Sequence, residues 1–206
     1  MKARILLAAV VLGLILFFVR RENIRRENTA VPFVEAHLAM GTVVAINLYM
    51  EEEEARPLAA LAFAEIDRLD SLMSHYSPAS ELNRINRLAT EKAVTCSPEL
   101  STVLERSQHF ARRSGGAFDI TIGALTRLWN FPDARLPPRA GQIDSALALT
   151  GCEYLQLQEG QVRLLRQGMR LDLGGVAKGY AVDRAVALLQ EAGVPCGLIT
   201  AGGDIR

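Results

Sequence analysis

The sequence predicts an α+β fold, because strand-like runs follow one another directly in two places and amphipathic helices separate the remaining runs. In residues 34–50, two strands are predicted on either side of residues 40–42, and apolar residues alternate along the second one. In residues 154–173, three short runs separated by glycine turns predict a meander. Half of the 206 residues are hydrophobic, which is enough for the core of one domain of ordinary size.

Residues 1–21 predict an uncleaved signal anchor. Lys2 and Arg4 precede an unbroken apolar run over residues 5–19, which is shorter than a typical span of ~20 residues but fits the apolar part of a signal. No A-x-A cleavage site follows, and basic residues flank both sides of the run, so flanking charge alone does not set its orientation. We expect residues 22–32 to be a tether and residues 33–206 to form the domain.

Helix signals are strongest at Ser97-Pro98-Glu99, where an N-cap serine precedes a proline suited to the first helical position. A second clear start is the acidic run 51–54, and glycine pairs or single glycines end several helices. The predicted helices are 51–75, 81–87, 98–113, 123–129, 143–149 and 176–192. The predicted strands after the first two are 92–96, 154–157, 162–165, 169–173 and 198–201, the last of which reaches the sequence GGDIR without an evident partner strand.

Composition argues against nucleic acid as a partner. The formal net charge is zero, and no basic stripe interleaved with aromatic residues is present. The three cysteines are widely spaced and form no C-x-x-C pattern. An exported setting would permit one disulfide, but three buried free thiols are the simpler expectation. The three histidines show no metal-ligand spacing.

The sequence LDLGGVAKGY at residues 171–180 is the main candidate for a ligand site. An apolar run that carries Asp172 leads into Gly174 and Gly175, and a helix with Lys178 in its first turn follows. Glycines let backbone N–H groups approach a ligand closely, and a helix start together with a lysine suits phosphate. A carboxylate beside phosphate further indicates a divalent cation. The alternative is a tight strand-to-helix turn in which the glycines serve packing only.

Three carboxylates in apolar stretches lie near glycine pairs: Asp119, Asp172 and Asp204. Each could cap a helix or close a turn by itself. Together they suggest a shared polar site for a ligand or a metal, with the part played by Asp204 left open.

Several motifs in order resemble the ApbE family of exported FAD:protein FMN transferases. They are MGT at residues 40–42, SHYSPASELNRIN, GGAFDITIGALTRLW, LDLGGVAKGYAVD and ITAGGDIR, and the resemblance extends over about residues 33–206. It implies a T-fold-like α+β domain with FAD bound in a cleft. It also implies magnesium-dependent transfer of FMN from FAD to a threonine hydroxyl of an acceptor protein, with release of AMP. The acceptors implied are subunits of membrane redox pumps, and the location implied is the bacterial inner membrane, with the domain facing the periplasm.

The resemblance also implies roles for individual residues. Asp172 and Lys178 are the expected catalytic residues, and the carbonyl of Gly175 is an expected ligand of Mg²⁺. The positions that match FAD contacts in the family are Met40, Tyr76, Ala117, Phe118, Asp119, Asp172 and Lys178.

The family pattern continues beyond the last residue, Arg206, so the resemblance implies a domain that is incomplete on its C-terminal side. The family's remaining metal ligands, an Asp and a Thr, belong to that further stretch. Two alternative functions therefore stay open: an FAD pyrophosphatase that gives FMN and AMP, and a non-catalytic flavin-binding fragment. A separate chain that supplies the rest is a further possibility.

Overall fold

The computed structural model describes residues 31–129 and 136–206. The predicted signal anchor, 1–21, and all but the last two residues of the predicted tether lie outside the described residues. Within the described part, none of the helices has the length and apolar character needed to cross a membrane.

The described residues form helices and mostly antiparallel strands, as an α+β fold requires. The helices are α1 (Glu52–Met73), α2 (Glu81–Leu88), α3 (Pro98–Arg113), α4 (Gly123–Trp129), α5 (Ala140–Leu147) and α6 (Ala177–Glu191). The strands are β1 (Phe33–Ala39), β2 (Thr42–Leu48), β3 (Val94–Thr95), β4 (Leu155–Gln158), β5 (Gln161–Leu164), β6 (Gly197–Ala201) and β7 (Asp204–Ile205).

The larger sheet has the strand order β1-β2-β6-β7, with each neighbouring pair antiparallel. Val44, Ile46 and Leu48 of β2 are buried, as the alternation in the sequence predicts. The β1–β2 turn places Met40 at φ 53° and Gly41 at φ 72°, so a non-glycine residue occupies the left-handed region at the tip of the hairpin. The expectation that the last strand lacks a partner is wrong, because β6 pairs with β2 on one side and with β7 on the other.

Helices α1 and α6 pack against each other and against the larger sheet. Their buried positions are rich in alanine, including Ala55, Ala59 and Ala62 of α1 and Ala181 and Ala185 of α6. These small side chains allow the two helices to approach closely, and one continuous core then extends from this layer to the second sheet.

The smaller sheet has the order β3-β5-β4 and corrects the predicted meander. Residues 154–157 and 162–165 do pair, but residues 169–173 do not form its third strand. Instead, the backbone N–H of Asp172 donates to the carbonyl of Ile120 (2.8 Å), and Arg170 forms an isolated parallel bridge with Ile122. The free edge of β5 is taken by β3, so the apolar run 169–173 finds its hydrogen bonds elsewhere.

Local signals fixed most helix ends. Ser97 Oγ accepts a hydrogen bond from the backbone N–H of Leu100 (3.3 Å), which is the predicted N-cap of α3. Helix α5 begins at Ala140, three residues earlier than predicted. The expectation of three buried cysteines is wrong: all three are free, but Cys152 is half-buried, and Cys196 is exposed because it lies in the loop between α6 and β6.

Candidate functional site

A cleft beside the start of α6 consists of two adjoining cavities. The larger cavity has a volume of about 620 Å³ and the smaller about 470 Å³. They share the walls formed by His75, Tyr76, Thr126 and Asp172. The larger cavity is lined in addition by the predicted site residues Ala117, Phe118, Asp119 and Gly175. The structure therefore brings six of the eight predicted site residues to one cavity.

The glycine turn at residues 174–175 is held by side chains on both sides. The backbone N–H of Gly174 donates to Asp172 Oδ1 (2.8 Å), and Lys178 Nζ donates to the carbonyl of Gly174 (3.2 Å). A Cβ added at Gly175 would lie 3.3 Å from Cε2 of Phe118, closer than side chains normally pack. Both glycines are exposed on the cavity. The glycines therefore serve packing, because Phe118 leaves little room for a side chain at Gly175, and they also leave the backbone of the turn open to a ligand.

Asp172 and two aromatic rings form the wall that the two cavities share. The side chain of Asp172 is 10% exposed, and its Oδ1 lies 3.8 Å from Nδ1 of His75. The rings of His75 and Tyr76 are in contact, with centroids 3.8 Å apart and an interplanar angle of 39°. Tyr76 is 66% exposed, so it presents a ring face on which a planar group can stack.

Asp119 lines the larger cavity, but its carboxylate is already bound by protein groups. Oδ1 accepts from the backbone N–H and from Oγ1 of Thr121 (2.7 Å each), and Oδ2 accepts from the backbone N–H of Cys152 (3.1 Å). Burial, with the neighbouring Asp119 carboxylate as a second cause, raises the pKa of the Cys152 thiol to about 12. In this structure Asp119 fixes the loop that carries Ala117 and Phe118.

Three further predicted residues lie beside or away from the cavity. Met40 is at the tip of the β1–β2 hairpin, where its backbone N–H donates to Asp70 Oδ2 (3.0 Å), and the adjacent Gly41 faces the ring of Tyr76. Lys178 reaches the back of the glycine turn without lining the cavity. Asp204 is exposed in β7 opposite Ala201 and does not line the cavity of Asp119 and Asp172. The predicted group of three carboxylates is thus reduced to two.

Comparison with known proteins fits this arrangement. The model of the ApbE family matches residues 40–206, most of the chain. The chain belongs to the ApbE family. A protein of Treponema pallidum named FAD:protein FMN transferase is 33% identical over 186 residues, which cover 84% of this chain and 51% of that protein. A Vibrio cholerae protein of the same name is 31% identical, over 85% of this chain and 55% of its own length. The chain spans about half the length of these relatives.

The fold agrees with solved structures of the family. The flavin transferase ApbE from Vibrio cholerae superimposes with a TM-score of 0.79 at 27% identity, covering 85% of this chain and 58% of that chain. An ApbE protein from Thermotoga maritima gives a TM-score of 0.77 at 29% identity, with the same two coverages. The α+β prediction and the ApbE-like fold are therefore confirmed.

Two buried asparagines of this ApbE chain were missed by the sequence analysis as parts of the site. Asn83, on α2 and 6% exposed, donates through Nδ2 to the carbonyls of His75 (2.9 Å) and Ser77 (2.9 Å). Its Oδ1 accepts from Nη2 of Arg170 (3.2 Å). Asn83 therefore holds the loop that presents His75 and Tyr76.

Asn86, three residues further along α2 and also 6% exposed, holds the segment that leads into Asp172. Its Nδ2 donates to the carbonyl of Leu171 (3.0 Å), and its Oδ1 accepts from the backbone N–H of Leu171 (2.6 Å). The side-chain amide thereby makes the two backbone hydrogen bonds at Leu171 that a neighbouring strand would otherwise make. The sequence did offer a signal for these buried amides: two asparagines lie three residues apart on a predicted helix, next to the apolar Leu82 and Ile85.

Three arginines that were not among the predicted site residues line the smaller cavity: Arg87, Arg127 and Arg170. Partial burial, together with the positive charges of Arg127 and Arg87, lowers the pKa of Arg170 from its ordinary value. The smaller cavity is thus markedly positive.

Proposed function

We propose that this chain carries the flavin nucleotide site of an FAD:protein FMN transferase, which moves FMN from FAD to a threonine hydroxyl of an acceptor protein and releases AMP. The observation that carries the proposal is the exposed glycine turn at residues 174–175, which opens into the same cavity as Phe118 and Asp119 and lies next to Tyr76. The relatives named FAD:protein FMN transferase support the choice of reaction.

The dimensions and chemistry of the cleft suit FAD. Each cavity lies within the range of about 300–1,000 Å³ typical of small-molecule sites. Tyr76 offers a ring face for the planar isoalloxazine group, and Phe118 adds an apolar wall. The diphosphate is best placed at the glycine turn, because Gly174 and Gly175 are exposed there, α6 starts directly after it, and the positive charge of Lys178 lies against the Gly174 carbonyl.

The residues of the glycine turn also fit Mg²⁺ in the kind of donors they offer. Magnesium takes oxygen ligands and commonly uses only one or two carboxylates, with substrate phosphate and water completing its shell. The Asp172 carboxylate and the Gly175 carbonyl would supply such oxygens. Residues 31–129 and 136–206 contain no group of three or more His, Cys, Asp or Glu side chains that could hold a metal. The ion would neutralise charge on the diphosphate during transfer.

At phosphorus the transfer forms one bond and breaks one. The threonine oxygen attacks the phosphorus of the FMN half of FAD, the phosphorus–oxygen bond to AMP breaks so that AMP leaves with the bonding electron pair, and the hydroxyl proton passes to solvent. Lys178 would stabilise the negative charge that builds on the diphosphate. Asp172 would keep the glycine turn in place through its hydrogen bond to Gly174 and hold His75 at the shared wall.

The test is to incubate the purified chain with FAD and Mg²⁺ and to measure AMP, free FMN and covalent flavin on a threonine-bearing acceptor protein. Flavin on the acceptor with an equal amount of AMP is the expected result. The variant Asp172→Asn is expected to lose most of the turnover, whereas Asp67→Asn, on the exposed face of α1, is expected to keep it.

Three outcomes would contradict the proposal. Equal amounts of FMN and AMP regardless of the acceptor would indicate an FAD pyrophosphatase. Bound FAD without either product would indicate a flavin-binding fragment. Normal turnover by Asp172→Asn would show that the site is placed wrongly.

We further propose that residues 1–21 anchor the protein in the bacterial inner membrane, with the domain in the periplasm and a redox-pump subunit as acceptor. The apolar run flanked by basic residues supports the anchor. Fractionation of cells that express the full chain and a chain lacking residues 1–21 tests this, because only the full chain should sediment with the membranes.

A further inference from the structure

The smaller cavity differs in charge from the larger one. Arg87, Arg127 and Arg170 contribute three guanidinium groups to its lining, and among the residues that the structure describes Asp172 is the single carboxylate that lines it. That carboxylate is already hydrogen-bonded to the backbone N–H of Gly174 and faces His75. The positive charge of the cavity is therefore left largely uncompensated.

The arginines are not committed to ion pairs within the described ranges. Arg170 donates to Asn83 Oδ1, and Arg87 donates to the carbonyl of Pro78 (2.8 Å), so both have neutral partners. Arg127 is exposed on α4, and none of the three forms an ion pair with a described carboxylate. Like charges gathered in one concave site repel one another, so an anionic ligand would relieve a cost that the free protein carries.

In the function proposed above, the diphosphate of FAD lies at the glycine turn, so the charge of the smaller cavity is not assigned to it. The glycine turn and the predicted FAD contacts Ala117, Phe118 and Asp119 line the larger cavity only, whereas Tyr76 and Asp172 line both cavities. The smaller cavity adjoins it across His75, Tyr76, Thr126 and Asp172, so a ligand there would lie next to the flavin nucleotide without sharing its place.

We propose that the smaller cavity binds carboxylate side chains of the acceptor segment that carries the reactive hydroxyl. The proposal rests on the transferase function proposed above, since it is that reaction which requires a second, protein substrate beside the nucleotide. Guanidinium groups recognise carboxylates through paired N–H donors, so acidic residues near the threonine would fix its position at the shared wall. The cavity thereby selects acceptors by their charge.

The test uses two fluorescein-labelled peptides, one with a threonine flanked by glutamates and one with glutamines in their place. Fluorescence anisotropy measures peptide binding to the full chain in the presence of FAD, and flavin fluorescence measures FAD binding separately. The variants are Arg127→Gln, Arg127→Lys and, as a matched control, Arg106→Gln on the exposed surface of α3 away from both cavities.

We expect the wild-type chain to bind the glutamate peptide about tenfold more tightly than the glutamine peptide, with the preference weakened by added salt. Arg127→Gln should reduce this preference roughly threefold to fivefold, the size of a partly exposed charge-assisted contact. Arg127→Lys should keep part of the preference, because lysine retains the charge but not the paired donors, Arg106→Gln should keep all of it, and FAD affinity should be unchanged in all three variants.

Equal binding of the two peptides by the wild-type chain would overturn the proposal. Weaker FAD binding by Arg127→Gln with an unchanged peptide preference would also overturn it, because the arginines would then serve the nucleotide. AMP release tests the transferase proposal by itself, and the anisotropy measurement tests the peptide site by itself because it needs no turnover.

Discussion

Replacing Asn86 with alanine tests how the wall that carries Asp172 is held. In the structure the Asn86 amide makes two hydrogen bonds to the backbone of Leu171, one as donor (3.0 Å) and one as acceptor (2.6 Å). Leu171 is 1% exposed, so water does not readily replace the lost partner. The substitution leaves a buried N–H and a buried carbonyl without hydrogen bonds.

The expected loss follows from those two groups. Each net hydrogen bond contributes about 1 kcal/mol, and a buried polar group left unsatisfied costs about 1–3 kcal/mol. We therefore expect Asn86→Ala to lower the free energy of unfolding by about 2–4 kcal/mol, a large part of the stability of a domain of this size. The affinity for FAD should fall as well, because Asp172 directly follows Leu171.

Urea unfolding followed by circular dichroism measures this loss. Asn47→Ala provides the matched control, since Asn47 lies in β2, is only half-buried and makes no side-chain hydrogen bond to another described residue. A loss below about 1 kcal/mol for Asn86→Ala, or an equal loss for Asn47→Ala, would refute the assigned role of the amide.

Three further predictions concern single residues. Gly175→Ala should weaken FAD binding severalfold, measured by flavin fluorescence, because the new Cβ would press on Phe118 at 3.3 Å and narrow the glycine turn. Ser97→Ala should lower the free energy of unfolding by about 1 kcal/mol, measured by urea unfolding, because α3 loses its N-cap. At pH 8, iodoacetamide should modify Cys196 well before Cys152, as mass spectrometry can show, because burial raises the pKa of the Cys152 thiol to about 12. The folded protein holds that proton longer than the unfolded chain, so the contribution of Cys152 to stability is intact below its ordinary pKa of 9.0 and is lost as the pH rises towards 12.

Each of these predictions has a matched control. Gly179→Ala meets open space and should leave FAD binding unchanged, so a similar loss in both glycine variants would contradict the role of the turn. Ser101→Ala, within α3, should cost less than Ser97→Ala. Equal labelling rates for the two cysteines would show that Cys152 is not shielded.

Local chemistry explains why much of the fold was predictable. The N-cap at Ser97, the alternation in β2 and the glycine-terminated helices depend on neighbouring residues alone. The strand predicted at residues 169–173 is wrong because a short apolar run between turns fits a strand as well as it fits a buried segment outside a sheet. The hydrogen bonds of that run come from Asn86 and from residues 120–123, which are distant in sequence.

The candidate site was predictable to the extent that motifs carry it. Asp172, Gly175 and Phe118, which the resemblance singled out, line one cavity, and their roles towards FAD and metal stay predictions. Asn83 was missed because an asparagine on a short polar helix normally faces solvent, and the arginines of the smaller cavity were missed because surface arginines are common. Arg87 and Arg127 lie on two different helices and are about forty residues apart in sequence, so only the fold brings them to one cavity.

The eight-residue helix α2 links two segments of the wall that the two cavities share. Through Asn83 it holds the loop that carries His75 and Tyr76, and through Asn86 it holds the segment that carries Asp172. A shift of this helix would therefore move Tyr76 and Asp172 together. Both cavities would then change shape at once, because these two residues line each of them.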